Sequence, residues 1–252
     1  MLRGLDASSV QGALPYAELV KQDMRFVVLK AQQGNDGFDP WFERNMKAAL
    51  DHGIEPFAYC FFYPLPVKDK KTGALKPSRA PEEQAKRFVD TVLRFPEMRG
   101  RPIFIDEEWP EVENWAEWGC TAASINETMR ANAEAVHQLR GVSPILYTYL
   151  YWWQAVTAGA DTSWAAAYEL WMAWYIKGWP GTGSRPRVPS PWSNARFWQF
   201  DGNGGLRLPN GRDADFCVFD GTDADLRRYA GRKGGPVSSS GGPVVEDSVD
   251  RK

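Results

Sequence analysis

The run Ile103-Phe104-Ile105-Asp106-Glu107-Glu108-Trp109 places two carboxylates at a spacing that suits acid-base chemistry. Apolar residues of strand type precede the acidic ones, and in an extended strand residues i and i+2 face the same way. Asp106 and Glu108 should therefore point together, whereas Glu107 points to the opposite side. Two carboxylates held close in a partly dry site cannot both ionise easily, so one of them keeps its proton at neutral pH.

Such a pair has the two groups that hydrolysis of a glycosidic bond requires. The protonated carboxyl group can protonate the leaving oxygen, while a nearby negative charge stabilises the cationic sugar. The competing interpretation is a solvated acidic turn, because acidic clusters at strand ends are common. The acidic triplet alone leaves both interpretations open.

Other carboxylates lie at or near the ends of short apolar runs. Asp6 ends the first run of the chain, Asp201 follows the seventh, and Asp215 lies in the eighth. In a parallel α/β barrel the reactive groups gather at the carboxyl ends of the strands, which would bring these residues towards Asp106. For Asp6 the alternative is a turn-stabilising role beside Ser8.

The elements that must position these residues follow from hydrophobic periodicity. Strand-type runs occupy residues 2–6, 26–31, 54–62, 102–108, 144–149, 171–175, 197–201 and 214–219. The first five alternate with predicted helices at residues 15–22, 41–52, 81–95, 122–139 and 151–158, and residues 64–80 are predicted to form a polar loop. This order favours a closed parallel barrel over an open doubly wound sheet. We predict an irregular TIM-like α/β barrel with roughly five β/α units, followed by three strands with little helix.

The length and composition fit one such domain. The chain has 252 residues, of which 43% are hydrophobic and 25% charged, and these values disfavour a disordered or coiled-coil protein over most of the length. We predict a catalytic barrel at residues 1–230. From Lys233 onward the composition turns to Gly, Ser, Pro and charge, so residues 231–252 are predicted to form a flexible, disordered tail.

Charge and metal-ligand content exclude several function classes. Thirty Lys and Arg nearly balance 32 Asp and Glu, which leaves no positive field for nucleic acid or an anionic membrane. Cys60, Cys120 and Cys217 are far apart, and His52 and His137 are the only histidines, so neither a disulfide framework nor a multi-histidine metal site fits. We expect no metal or other cofactor, no nucleic-acid partner and no membrane insertion.

Seven segments, in this order along the chain, match the motifs of one enzyme family. They are G-L-D-A-S-S-V-Q-G at residues 4–12, F-V-V-L-K-A-Q-Q-G at 26–34, I-D-E-E at 105–108, P-I-L-Y-T at 144–148, W-M-A-W-Y at 171–175, F-W-Q-F at 197–200 and D-F-C-V-F-D-G at 215–221. To about residue 221 the chain thus resembles the glycoside hydrolase family 25 muramidases. These are the lysozymes that cut peptidoglycan between N-acetylmuramic acid and N-acetylglucosamine.

The resemblance implies an enzyme, a 1,4-β-N-acetylmuramidase, on an irregular TIM-like barrel of five β/α units plus three strands. It implies that Glu108 is the general acid and that Asp106 orients or stabilises the reacting sugar. Asp6 would be a further carboxylate of the catalytic site, and Asp215 would lie beside the substrate. The implied partner is a peptidoglycan glycan strand, and we expect a monomer.

Aromatic residues are abundant, with 12 Trp and an aromatic share of 13%. Flat rings stack on sugar faces, although core packing is the alternative role for each of them. The rings expected near the substrate groove lie on or beside predicted strands, namely Tyr59, Phe61, Tyr147, Trp171, Trp174, Tyr175 and Trp198. We expect two or three of them to stack on sugar.

The chain departs from the family pattern at several positions. Gln33 stands where the family usually has Glu, Cys60 where it has His, and Cys217 where it has Asn, and residues 7–10 lack the His or Trp often found before Gln11. All expected carboxylates are nevertheless present. Their retention favours catalysis over a barrel that binds glycan without cleaving it, such as an adhesin or a virion attachment part. A family member acting on a different amino-sugar polymer is a third alternative.

The N-terminal residues run straight into the first motif without the apolar segment of a signal peptide. We therefore expect synthesis in the cytoplasm without a conventional signal peptide. The chain would then act on the cell wall after lysis, injection or unconventional release, as an endolysin does.

Overall fold

The computed structural model describes residues 1–34, 37–63, 67–69, 71–76, 80–109, 112–181, 183–202 and 206–231. Its strands are β1 (Leu2–Ala7), β2 (Met24–Gln33), β3 (Gly37–Phe38), β4 (Glu55–Phe61), β5 (Val67–Lys68), β6 (Leu75–Lys76), β7 (Ile103–Asp106), β8 (Ile145–Tyr149), β9 (Glu169–Ala173), β10 (Phe197–Asp201) and β11 (Asp215–Phe219). Its α-helices are α1 (Tyr16–Lys21), α2 (Phe42–Asp51), α3 (Pro81–Leu93), α4 (Trp115–Trp118), α5 (Ala122–Arg140), α6 (Leu150–Val156) and α7 (Asp223–Tyr229).

Eight of these strands close into a barrel. Their hydrogen-bonded order is β1-β11-β10-β9-β8-β7-β4-β2, and β2 pairs back onto β1. The short β3 pairs with β2 outside this ring, while β5 and β6 form a separate two-stranded sheet. The prediction of an irregular TIM-like α/β barrel is confirmed.

The expectation that all barrel strands run parallel is wrong for β11, which is antiparallel to both β1 and β10. This reversal matters for the site. Asp215 is the first residue of β11, and its backbone pairs with Asp6 near the carboxyl end of β1. A parallel eighth strand would have placed its first residue at the opposite end of the barrel.

The connections follow the predicted irregularity. Five β/α units come first, and from β9 to β11 the described residues contain no α-helix. Most boundaries differ from the prediction by one or two residues. The differences that bear on the site are that β7 ends at Asp106 and not at Glu108, and that β9 lies two residues earlier than expected and leaves Tyr175 beyond its end. The predicted loop also contains the β5–β6 hairpin. The short helices α4 and α7 were not predicted.

The barrel strands are buried on both faces, as they must be when side chains fill the interior and helices cover the outside. Large rings occupy the interior, where the Phe104 and Phe197 ring centroids are 5.0 Å apart. Phe26 fills the space beside Gly4 so tightly that a Cβ at Gly4 would lie 2.5 Å from its ring. Gly4 therefore has no room for a side chain.

A buried ion pair lies at the opposite end of the strands from Asp6. Arg101 Nη1 is 3.0 Å from Glu55 Oε2, and Glu55 is the first residue of β4. The same guanidinium group donates to the Pro56 and Glu97 carbonyl oxygens. Charged groups at this end of such a barrel serve stability and not catalysis.

None of the helices in the described ranges is long and apolar enough to cross a bilayer. Residues 232–252 lie outside the described residues. The disordered tail at 231–252 and the domain boundary at residue 230 therefore stay predictions.

Candidate active site

The structure brings Asp6, Asp106, Glu108 and Asp215 together at one end of the barrel. Asp6 and Asp106 end the inner faces of β1 and β7 and are only 6% and 7% exposed. Asp215 starts the reversed β11, and Glu108 lies two residues beyond β7; both are half-buried. The carboxylates that the sequence placed on separate elements thus form one cluster.

Burial and mutual repulsion keep protons in this cluster. Burial raises the pKa of Asp106 well above its usual value, and the neighbouring Glu108 raises it further. Burial and then the charge of Asp215 raise the pKa of Asp6 in the same way. For Asp215, burial and Glu108 raise the pKa to about 7. A cluster of this kind can donate a proton while another of its members stays negative.

Glu107 points away from the cluster, as expected for the residue between Asp106 and Glu108 in an extended segment. Its side chain is buried against α5, where Oε1 accepts a hydrogen bond from Asn132 Nδ2 at 2.6 Å. Burial raises the pKa of Glu107 to about 8. Glu107 therefore belongs to the packing between the barrel and its helices and not to the site.

Gln199 of β10 connects Asp6 to two tyrosines. Its Nε2 donates to Asp6 Oδ2 at 2.9 Å, and its Oε1 accepts from the hydroxyls of Tyr147 and Tyr175, each at 3.0 Å. Cys217 on β11 donates its thiol proton to the same Asp6 oxygen at 3.4 Å. Gln199 was not among the predicted site residues, although the F-W-Q-F segment contains it. The available signal was a lone amide among large rings.

Lys30 of β2 acts on Asp106 and was not among the predicted site residues either. Its positive charge lowers the pKa of Asp106, against the effect of burial. Its Nζ lies 5.1 Å from the Phe61 ring centroid and donates to Gln33 Oε1, while Gln33 Nε2 donates to the Tyr63 hydroxyl. Because Gln33 is neutral where the family has Glu, no carboxylate at this position offsets the charge of Lys30.

A cleft of about 400 Å³ opens beside the carboxylates. It is lined by Glu108, Tyr149, Leu150, Tyr151, Ala173, Trp174 and Tyr175. The rings of Tyr151 and Tyr175 are 57% and 46% exposed. Exposed rings beside a half-buried carboxyl group suit a site in which a sugar stacks while the acid reaches its linking oxygen.

Most of the aromatic residues expected near the groove lie at or below this site. Tyr175 and Trp174 line the cleft. Tyr59, Tyr147 and Trp171 are buried inside the barrel, with the Tyr147 and Trp171 ring centroids 4.6 Å apart. Burial is the largest cause that raises the pKa of the Tyr59 and Tyr147 hydroxyls, and the carboxylates of the cluster raise it further. Both hydroxyls therefore face the cluster.

Trp198 is not brought to the cleft. It packs in the core outside the barrel, and its Nε1 donates to the Trp174 carbonyl oxygen at 2.7 Å. Cys60 is buried in the same outer core. The histidines also lie apart from the cluster, since His52 stacks on Tyr16 and His137 contacts Ser143.

Comparison with known proteins adds an independent finding. The family model for Glycosyl hydrolases family 25 matches residues 5–207. The chain is 27% identical over 201 residues to an N,O-diacetylmuramidase from Chalaropsis sp., covering 79% of this chain and 87% of that protein. It is 26% identical over 234 residues to Lysozyme M1 from Streptomyces globisporus, covering 91% of this chain and 71% of that protein.

The fold agrees with this match. The structure of a family GH25 lysozyme from Aspergillus fumigatus superposes with a TM-score of 0.70 at 20% identity, covering 91% of this chain and 98% of that chain. A bacterial lysozyme from Streptomyces coelicolor gives a TM-score of 0.69 at 23% identity, covering 91% and 96%. The resemblance inferred from the seven segments is confirmed: this chain is a glycoside hydrolase and belongs to glycosyl hydrolases family 25.

Proposed function

We propose that the chain is an N-acetylmuramidase that hydrolyses the β-1,4 bond between N-acetylmuramic acid and N-acetylglucosamine in peptidoglycan. One observation carries this proposal: Glu108 lines an aromatic-walled cleft and also interacts electrostatically with the buried carboxylates. A carboxyl group therefore faces a sugar-sized space, with further carboxyl groups behind it. The related N,O-diacetylmuramidase and Lysozyme M1 support the choice of substrate.

In this mechanism Glu108 protonates the oxygen of the bond that breaks, and the sugar to be released as a reducing end develops positive charge at its anomeric carbon. The oxygen of a water molecule then forms the new bond to that carbon, and the proton that the water loses restores the acid form of Glu108. Asp106 stabilises or orients that sugar. Lys30 favours the ionised form of Asp106, because its charge lowers the pKa of that carboxyl group. Asp6 and Asp215 flank the reacting centre, and their negative charge, when they are ionised, raises the pKa of the neighbouring carboxyl groups.

The exposed rings would hold the glycan strand in register with the acid. Tyr151 and Tyr175 lie on the cleft wall beside Glu108. Stacking on a sugar face supplies binding area without fixing which hydroxyl groups the sugar carries. Discrimination between muramic acid and glucosamine must therefore come from the polar groups at the base of the cleft.

The test is a digest of purified peptidoglycan, followed by reduction of the fragments and mass spectrometry. We expect every new reducing end to be N-acetylmuramic acid. Reducing ends on N-acetylglucosamine would contradict the bond assignment. Binding to peptidoglycan without release of soluble fragments would favour the glycan-binding alternative.

A further inference from the structure

We propose that Gln199 is a positioning residue that fixes the Asp6 carboxylate and turns the Tyr147 and Tyr175 hydroxyls so that they present acceptors to the substrate. This inference rests on the proposed muramidase activity and goes beyond it, because it states that one wall of the site accepts hydrogen bonds from the substrate. That wall would recognise a hydrogen-bond donor on the sugar, such as an acetamido N–H or a hydroxyl group.

The orientation of the Gln199 amide follows from its partners. A carboxamide has a donor end and an acceptor end, whereas an ionised carboxylate only accepts. The Gln199 NH2 group faces Asp6, where Nε2 lies 2.9 Å from Oδ2, and the Cys217 thiol donates to the same oxygen. Oδ2 is therefore an acceptor, and a proton held by Asp6 would lie on Oδ1. The remaining end, Oε1, faces Tyr147 and Tyr175 and can only accept from them. The opposite amide orientation would set two acceptors against each other at Asp6.

The tyrosine protons are consequently held inside the site. Each hydroxyl has one proton, and both oxygens lie 3.0 Å from Gln199 Oε1. The Tyr147 hydroxyl also contacts that of Tyr175, so Tyr147 can donate either to Gln199 or to Tyr175. Both arrangements keep the protons within the triangle of Gln199, Tyr147 and Tyr175. Lone pairs then remain for the cleft, which Tyr175 lines together with Glu108.

The amide matters to Asp6 because the charged groups that act on its pKa, Asp215 and Glu108, are acidic, whereas Lys30 acts on Asp106. The groups that face it are Asp215 and Cys217 from β11, Gln199 from β10, Tyr147 from β8, Asp106 and Glu108 from β7 and its end, and Tyr59 from β4. Among the contacts of the described residues, Gln199 and Cys217 donate to Asp6. An amide N–H is a much stronger donor than a thiol. Gln199 therefore lowers the pKa of Asp6 more than Cys217 does, against the effect of burial.

The experiment compares Gln199→Met, which removes both hydrogen-bonding ends, and Gln199→Glu, which turns the donor end into an acceptor. Gln32→Met is the matched control, because Gln32 is equally buried and hydrogen-bonds Gly34 and Thr91, away from Asp6. Two properties are measured in the full chain. One is the titration of the Asp6 carboxyl carbon by NMR, and the other is the pH profile of kcat/KM on soluble peptidoglycan fragments.

We expect Gln199→Met to move the Asp6 titration to higher pH by about one unit or more, the scale of one hydrogen bond to a charged group. The acidic limb of the activity profile should move in the same direction, and Gln199→Glu should shift both further. Gln32→Met should leave both in place while losing stability. An unshifted Asp6 titration in Gln199→Met would overturn the proposal, whatever the activity of the parent chain.

The same design separates this proposal from the proposed function. If the Asp6 titration shifts but the parent chain releases no fragments, the muramidase assignment fails and the role of Gln199 stands. Tyr175→Phe tests the acceptor wall without disturbing a buried residue, since Tyr175 is 46% exposed. We expect its KM for N-acetylated glycan to rise several-fold with little change in kcat. An unchanged KM would refute the acceptor wall even if neither Gln199 variant folded.

Discussion

Glu107 and Asn132 form a buried pair whose polar atoms can all be hydrogen-bonded only when the Glu107 carboxyl group carries a proton. Glu107 Oε1 accepts from Asn132 Nδ2, while Glu107 Oε2 and Asn132 Oδ1 are both buried without a partner. An ionised carboxylate offers no donor to Asn132 Oδ1. A protonated Oε2 does, and we infer that it donates to Asn132 Oδ1 beside the first hydrogen bond. The fold should therefore favour the acid form, in agreement with burial raising the pKa of Glu107 to about 8.

The raised pKa of Glu107 makes the free energy of unfolding depend on pH. In the unfolded chain Glu107 has its ordinary pKa of 4.5. Below that pH both states carry the proton, and the pair stabilises the fold fully. As the pH rises from about 4.5 to about 8 the unfolded chain loses a proton that the folded chain retains, so the free energy of unfolding falls. The difference between these pKa values corresponds to a loss on the order of 5 kcal/mol, a large part of the stability of a typical domain.

Glu107→Gln removes this dependence without removing the hydrogen bonds. The new amide can donate to Asn132 Oδ1 and accept from Asn132 Nδ2 at every pH. We expect the variant to match the parent chain near pH 4.5 and to become more stable than it by a few kcal/mol at pH 9. Urea unfolding followed by circular dichroism at several pH values measures the difference. Subtracting parent from variant at each pH cancels the contributions of Asp6 and Asp215, whose pKa values are not set by Glu107.

Glu83→Gln, at an exposed position in the first turn of α3, is the control and should show no such divergence. Activity of Glu107→Gln at pH 6 should stay within about threefold of the parent, because the side chain points away from the cleft. A constant stability difference between pH 5 and pH 9 would refute the protonated pair. A loss of stability at every pH would show that Glu107 makes contacts that an amide cannot replace.

Four further outcomes follow from the structure. Glu108→Gln should lower turnover about a hundredfold or more while leaving the melting temperature unchanged, as measured by release of reducing ends; a mild effect would contradict its role as the acid. Arg101→Met removes the buried Arg101–Glu55 ion pair and should cost about 3–5 kcal/mol in urea unfolding. Gly4→Ala should cost about 1–3 kcal/mol, partly recovered by adding Phe26→Leu, and no recovery would argue against the ring clash. Chelator should leave turnover unchanged, and activity lost with chelator but restored by a divalent ion would overturn the metal-free mechanism.

The barrel could be predicted because its signals are local. Apolar runs of strand length alternate with helix-period segments five times, and a right-handed crossover is the ordinary way to connect such units. The helix ends also follow local rules, since Gly53 adopts a positive φ of 72° directly after α2 and Gly141 caps α5 in the left-handed region. These features depend on residues within one or two turns of each other.

The direction of β11 could not be predicted in the same way. An antiparallel strand and a parallel strand that are both buried in a closed barrel have similar apolar composition. Direction is set by where the preceding connection ends, and the segment between β10 and β11 has no helix to indicate it in its described residues. The position of Asp215 beside Asp6 therefore came only with the structure, although the family resemblance had already assigned both residues to the site.

The alternation of side chains along a strand could be used to predict which acidic residues at β7 share a face, but it did not separate Gln199 from Trp198 in β10. In β7 the acidic residues differ from the apolar residues before them, so the spacing of Asp106 and Glu108 was informative without knowing which face is the interior. In β10 all residues are buried, so no alternation of polar and apolar residues marks the inner face. Only the contacts show that Phe197 points inward, which places Gln199 in the site and Trp198 outside it. A barrel strand covered on both sides thus hides its functional side chain unless a neighbouring strand fixes its register.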